Sequence, residues 1–277
     1  MPASTTSGAS VTTEECTLSD GRRLAYAVAG DPNGTPVIAH HGTPGSRLFA
    51  TLFADAARDV GARLVVPDRP GYGYSTPPPD GWGWTNWRVD VEALLDAESI
   101  EEAAVLGFSG GGPFAIAAAS ADRTTHVGLI SALAPPAEGL LTTLGRVPPT
   151  LRVLFRLTDV LARAAGPEMV VSQYTEREVT DAVAKEVGAD FHEALRQGTR
   201  APARESRWAA TRTLDSTRVN APVRAWHGIG DENTPLDPLR TIVSEADGEV
   251  TVCDGDHLGT LLDYRRDALK WLAESGS

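Results

Sequence analysis

The octapeptide Val105-Leu106-Gly107-Phe108-Ser109-Gly110-Gly111-Gly112 restricts what this chain can fold into more than any other stretch. An apolar run over residues 103–106 predicts a buried strand, and from Pro113 a helical pattern continues to Ala119. A strand, a tight turn with serine at its tip and then a helix form the arrangement called a nucleophile elbow. The serine of such a turn sits in a strained conformation, and a Cβ on the flanking glycines would strike the strand or the helix. The turn exposes the Ser109 hydroxyl above the sheet edge. It also aims free N–H groups of a helix N-terminus at negative charge forming there.

The rest of the chain supplies the sheet such a turn needs. Residues 14–18 and 22–29 flank Ser19-Asp20-Gly21 as a hairpin. Strands follow at 36–41, 63–67 and 126–133, with helical periodicity at 47–60 and 84–97 between them. This alternation is that of parallel βαβ units. It stops at Pro135-Pro136. Up to about Asn220 there is no strand pattern, only helical stretches at 150–164, 176–187, 191–197 and 204–214. That is too long for a loop and too regular for disorder, so an inserted helical cap is expected over 136–220, between core segments 1–135 and 221–277. Strands at 222–227 and 249–253 and helices at 236–245 and 261–273 then resume the alternation.

Composition narrows the partners. The 277 residues are 42% hydrophobic, which suits one large α/β domain or a core with an insertion. No apolar run reaches the roughly 18 residues of a membrane span. Residues 1–13 have neither a basic start nor an apolar core and read as a frayed tail rather than a signal peptide. A net charge of -12 argues against nucleic acid as a partner. Cys16 and Cys253 are expected to be reduced, which suggests a cytoplasmic setting, although a bridge between them stays open. No Cys/His cluster has metal-ligand spacing, and neither metal nor other cofactor is expected.

A serine hydroxyl is a weak nucleophile and needs a base within hydrogen-bond reach, oriented by a carboxylate. In an open parallel sheet these partners come from loops after later strands. Two loops qualify, Gly228-Ile229-Gly230-Asp231-Glu232-Asn233-Thr234-Pro235 and Asp254-Gly255-Asp256-His257-Leu258-Gly259.

With these loops the chain resembles the α/β-hydrolase superfamily. The likeness rests on His41-Gly42-Thr43-Pro44-Gly45-Ser46, Asp68 to Ser75, Gly107 to Gly111, Gly228 to Pro235 and Gly255-Asp256-His257, in the order the superfamily uses. It implies a mostly parallel eight-stranded sheet flanked by helices, with a helical cap inserted after the sixth strand. It also implies Ser109 as nucleophile, Asp231 as acid and His257 as base. Glu232, Asp237, Asp254 and Asp256 compete with Asp231, and His227 with His257. Backbone N–H groups of Gly110 and of the loop after His41 would form the oxyanion hole. Pro44 has no N–H, which leaves Gly42 or Thr43 nearby, and the resemblance points to Thr43.

His41 is expected to brace that loop, Asp68 and Arg69 to bind backbone or each other, and Trp82, Trp84 and Trp87 to pack beneath the cap. Tyr72 or Tyr74 lining the pocket is the less favoured alternative. The expected substrate is a small carboxylic ester or related acyl compound. Proline iminopeptidase-like members usually carry a doubled glycine where Thr43 stands, which places peptide amides second. Carbon–carbon bond hydrolysis, cofactor-free peroxidase chemistry and a non-catalytic receptor remain as alternatives. Dehalogenases and epoxide hydrolases use an aspartate nucleophile, which Ser109 opposes.

Overall fold

The computed structural model describes residues 11–137, 144 and 147–274, so the tail read at 1–13 lies outside the described residues up to residue 10. Strand β5 (Ala103–Phe108), which leads into the serine turn, is an interior strand of an eight-stranded sheet. The others are β1 (Thr12–Thr17), β2 (Arg23–Gly30), β3 (Thr35–His40), β4 (Ala62–Pro67), β6 (Thr124–Ile130), β7 (Val223–Gly228) and β8 (Glu249–Cys253). Their order across the sheet is β1-β2-β4-β3-β5-β6-β7-β8. β2 pairs antiparallel with β1 and β4, and all remaining neighbours are parallel. This is the mostly parallel sheet that the sequence implies. Cys16 in β1 and Cys253 in β8 lie on strands at opposite edges and are free thiols, which closes the question of a bridge.

The parallel register places the site. His40 pairs with Gly107, Phe108 with Ile130, Ile130 with Trp226, and Gly228 with Cys253. Loops after β3, β5, β6, β7 and β8 therefore open at one edge of the sheet.

Successive strand residues serve opposite faces, as the pleat requires. Ile38, Val65 and Val105 join one core with helices α2 (Trp84–Ala97), α3 (Gly112–Ala119) and α8 (Leu236–Glu245). Val37, Leu64 and Leu106 join the other with α1 (Ala54–Asp59) and α9 (His257–Ala273).

Between β6 and β7 the described chain is helical, with α4 (Pro148–Ala165), α5 (Glu168–Val171), α6 (Asp181–Ala194) and α7 (Arg200–Thr211). Val170, Val171, Val187 and Phe191 merge with the α1/α9 core, while Trp208 of α7 joins the tryptophans of the opposite one. No helix among the described residues is long and apolar enough to cross a membrane.

Three local expectations are corrected. Residues 47–60 do not form one helix. Ser46 Oγ accepts from Leu48 N at 3.2 Å and a 3-10 turn over Arg47–Leu52 precedes α1. The helices read at 176–187 and 191–197 are largely one, α6, because Gly188 permits close packing rather than ending the helix. A Cβ there would lie 2.8 Å from Pro167 Cβ. Helix α9 starts at His257 and not near 261, since Asp256 caps it by accepting from Gly259 N at 2.8 Å.

Candidate active site

Ser109 occupies the left-handed region at φ 52°, where a residue with a Cβ is held only by its surroundings. Those surroundings are close. A Cβ on Gly107 would lie 2.9 Å from both Ala115 Cβ and Gly112 Cα, and one on Gly111 would overlap the His40 carbonyl oxygen. Leu133 N donates to Ser109 O at 2.8 Å and ties the turn to the chain leaving β6.

Asp231, after β7, reaches His257 at the start of α9. The His257 Nδ1–H donates to Asp231 Oδ2 at 2.8 Å, and both side chains are buried. Asp231 Oδ2 also accepts from Thr234 Oγ1 at 2.8 Å, while Oδ1 accepts from Asn233 N at 2.9 Å and Thr234 N at 3.0 Å. Burial works to raise this carboxyl, but the bonds from His257 and Thr234 outweigh it and hold it down at about 2. With Nδ1 committed to Asp231, Nε2 is the ring nitrogen of His257 left for another partner. The imidazole stands between Phe108, 4.9 Å away, and Tyr174, 6.0 Å away, measured between ring centres.

The loop after β3 meets the serine turn at Thr43. A methyl on Gly110 would lie 2.7 Å from Thr43 Cβ and 3.1 Å from its nitrogen, so the two backbones touch. Arg69, fully buried, holds this loop by donating to the carbonyls of His41 and of Gly42, the latter at 2.9 Å, and to Thr43 Oγ1 at 3.0 Å. Its Nη2 also pairs with Glu205 of α7 at 2.8 Å, and Glu205 Oε2 accepts from Thr43 Oγ1 and the Tyr72 hydroxyl, each at 2.8 Å. His41 Nδ1 donates to Gly42 O at 2.8 Å and its Nε2 accepts from Arg69 N at 3.4 Å. Burial holds that ring well below its ordinary pKa, so it braces the loop as a neutral imidazole.

Two cavities meet at Ser109, and Thr43 and Tyr174 border both. The wider, about 310 Å³, includes Gly110, His257, Trp84, Glu205 and Ser206 in its wall. The narrower, about 40 Å³, is walled by Phe49, Leu52, Phe108, Val187 and Phe191, with Asp190 as its acid. Ser109 and His257 face the wider cavity together. Among the described residues no hydrogen bond joins them, as is common before substrate draws such a pair together.

Residues 35–150 match the family model described as the alpha/beta hydrolase fold. A non-heme chloroperoxidase from Streptomyces lividans is 34% identical over 122 residues, 43% of this chain and 44% of that protein. A proline iminopeptidase from Xylella fastidiosa (strain 9a5c) is 35% identical over 116 residues, 40% of this chain and 36% of that protein. The match thus spans less than half the length of these curated relatives. An alpha/beta hydrolase fold protein from Nakamurella multipartita has a TM-score of 0.71 at 20% identity, covering 96% of this chain and 100% of that one. The chain has the α/β-hydrolase fold, and the family model matches less than half of its length.

Among the competing residues, Glu232 lines the wider cavity. His227 stands 4.0 Å from Asp231 Oδ2, buried, with burial lowering its pKa. Asp256 caps α9 and accepts from Thr175 Oγ1 at 2.6 Å. Asp68 and Arg69 do not pair with each other. Asp68 accepts from Arg47 Nη1 at 2.9 Å and Tyr74 N at 2.9 Å. Neither Tyr72 nor Tyr74 borders the two cavities, and Tyr74 lies between the guanidiniums of Arg47 and Arg196, 4.2 and 4.4 Å from its ring centre. Trp82 and Trp84 pack on Trp208 at 5.8 and 6.1 Å.

Sequence reasoning missed Tyr174, Asp190 and Glu205. The two acids carried a signal. Glu205 is four residues from each of Ala201 and Ala209, and Asp190 is three from Val187 and four from Ala194, so both acids sit on apolar helix stripes.

Proposed function

We propose that the protein is a serine hydrolase that cleaves a small carboxylic ester or related acyl compound through an acyl-enzyme on Ser109. The observation that carries the reading is His257. Its Nδ1–H is committed to Asp231 at 2.8 Å, which leaves Nε2 as the base in the cavity it shares with Ser109. In this reading Nε2 takes the Ser109 proton as Oγ attacks the carbonyl carbon. N–H groups of Gly110 and Thr43 hold the oxyanion. Collapse of the tetrahedral adduct expels the alcohol, protonated by His257. A water, deprotonated by the same nitrogen, then releases the acid and restores Ser109.

Residues 136–220 act as a cap between core segments 1–135 and 221–277. Support for this division comes from α4 to α7, which lie between β6 and β7 and send Asp190 and Glu205 to the cavities. The free thiols of Cys16 and Cys253 suit a reducing compartment such as the cytoplasm.

Ser109→Ala should abolish hydrolysis of 4-nitrophenyl butyrate and labelling by a fluorophosphonate, and a wild-type protein that takes no label sinks the reading. The 35% identity to a proline iminopeptidase favours N-terminal amides as the second reading. Turnover of a prolyl arylamide faster than of any simple ester would select it.

A further inference from the structure

Asp190 is a buried acid at the site for which the proposed chemistry has no use. It is 9% exposed, and α6 places it beside Val187 and Phe191 in the wall of the narrow cavity. One of its oxygens is occupied, since Oδ1 accepts from Ser46 N at 2.8 Å and from Ser46 Oγ at 2.7 Å. Among the described residues Oδ2 accepts no hydrogen bond, and the Tyr174 hydroxyl, on the same cavity, makes none. The Phe49 N–H also faces the carboxyl, but its hydrogen bond goes to Ser46 O at 3.1 Å. The open carboxyl oxygen and the open phenol are polar groups that the otherwise largely apolar cavity offers a ligand.

We infer that the narrow cavity is an acyl pocket for short acyl groups bearing a hydroxyl, which Asp190 Oδ2 and the Tyr174 hydroxyl bind. This rests on the acyl-enzyme reading, because the cavity reaches Ser109 and would hold the acyl side of the ester. Its volume of about 40 Å³ has room for roughly three water-sized groups, so the chain must be short. The chemistry of the partners selects the hydroxyl. Burial pushes Asp190 up to about 7, so near neutrality the carboxyl exists both as donor and as acceptor. A hydroxyl can meet either form. A carboxylate would be repelled by Asp190 and nearby Asp68, and an ammonium would bring a full charge among phenylalanines with only a half-ionised partner.

The test compares 4-nitrophenyl 3-hydroxybutyrate with 4-nitrophenyl butyrate. We expect kcat/KM about tenfold higher for the hydroxy ester, the gain typical of a net hydrogen bond to a substrate hydroxyl. Asp190→Leu should bring the ratio to about one or below. Because Leu also releases Ser46, Tyr174→Phe serves as a second variant and should reduce the ratio about threefold. Equal rates in the wild type, or a ratio unmoved by both substitutions, overturns the inference while leaving the hydrolase reading intact. If neither ester turns over and no fluorophosphonate label appears, that reading has failed on its own. Calorimetry of the Ser109→Ala protein with 3-hydroxybutyramide and butyramide then decides the pocket. Tighter binding of the hydroxy amide supports it, and equal binding removes it.

Discussion

Asp231 and Asp190 are buried acids on the walls of one site, yet their surroundings push them in opposite directions. Asp231, in a strand-end loop, receives four hydrogen bonds shared between both oxygens and is held down at about 2. Asp190, on helix α6 between β6 and β7, receives two from Ser46 on a single oxygen, and burial pushes it up to about 7. Both pay desolvation, and the number and placement of donors decides the outcome. The saturated carboxylate is held as a charge against the imidazole of His257. The half-satisfied one keeps an oxygen for a ligand. The loop after β7 thus holds its acid at both oxygens, whereas α6 presents Asp190 with one oxygen unpaired among the described residues.

The largest test of this contrast is Asp231→Asn. An amide at this position would present either oxygen or NH2 to His257 Nδ1, and the preferred tautomer of the imidazole would be lost. We expect ester turnover to fall about 10⁴-fold in kcat with the fold retained, as for the same change in a serine protease. A loss under tenfold, with unchanged circular dichroism, would mean that the saturated acid is not what orients the base.

Arg69→Ala tests whether the two regions are joined through the loop after β3. It would strand Glu205, 4% exposed, without its ion pair at 2.8 Å and free the carbonyls of His41 and Gly42. Breaking a buried pair from one side costs about 3–5 kcal/mol, read as a lower urea midpoint. Removing both charges with Arg69→Met and Glu205→Leu should restore much of that stability while kcat stays low, because Thr43 has lost both partners of its hydroxyl. Full recovery of kcat in the double variant would show that the pair glues the segment down without positioning the loop.

The contrast also explains what could be read in the chain. Asp231 finds its backbone donors within three residues, at Asn233 and Thr234, so a local motif encodes its setting. Ser109 is similar, since the glycines that permit its turn are its own neighbours. Asp190 depends on Ser46, 144 residues away, and Glu205 on Arg69, 136 away. No spacing rule reaches that far. Splitting α6 at Gly188 left Asp190 between two short helices, which hid its place on the apolar stripe. Starting α7 at 204 instead of Arg200 made Glu205 resemble an ordinary first-turn acid. The sheet was legible because alternation along each strand is local. The helices above it have ordinary periodicity, and their function lies in which long-range partners they meet.

The smallest effect is in stability against pH, and Asp190→Asn isolates it. Asn keeps an oxygen for both Ser46 donors and cannot ionise. In the unfolded chain an aspartate titrates near about 3.9. In the folded protein Asp190 titrates at about 7, so between these values the folded form binds more protons. The stability associated with the protonated carboxyl is complete below the unfolded value and is lost as the pH rises through about 7. Relative to the Asn variant, the wild type should therefore lose roughly 2 kcal/mol between pH 5 and pH 8. Urea midpoints of both proteins at the two pH values measure it. A difference that stays flat would place Asp190 with Asp231 and Glu205 among the saturated acids, and the contrast between Asp190 and Asp231 would fail.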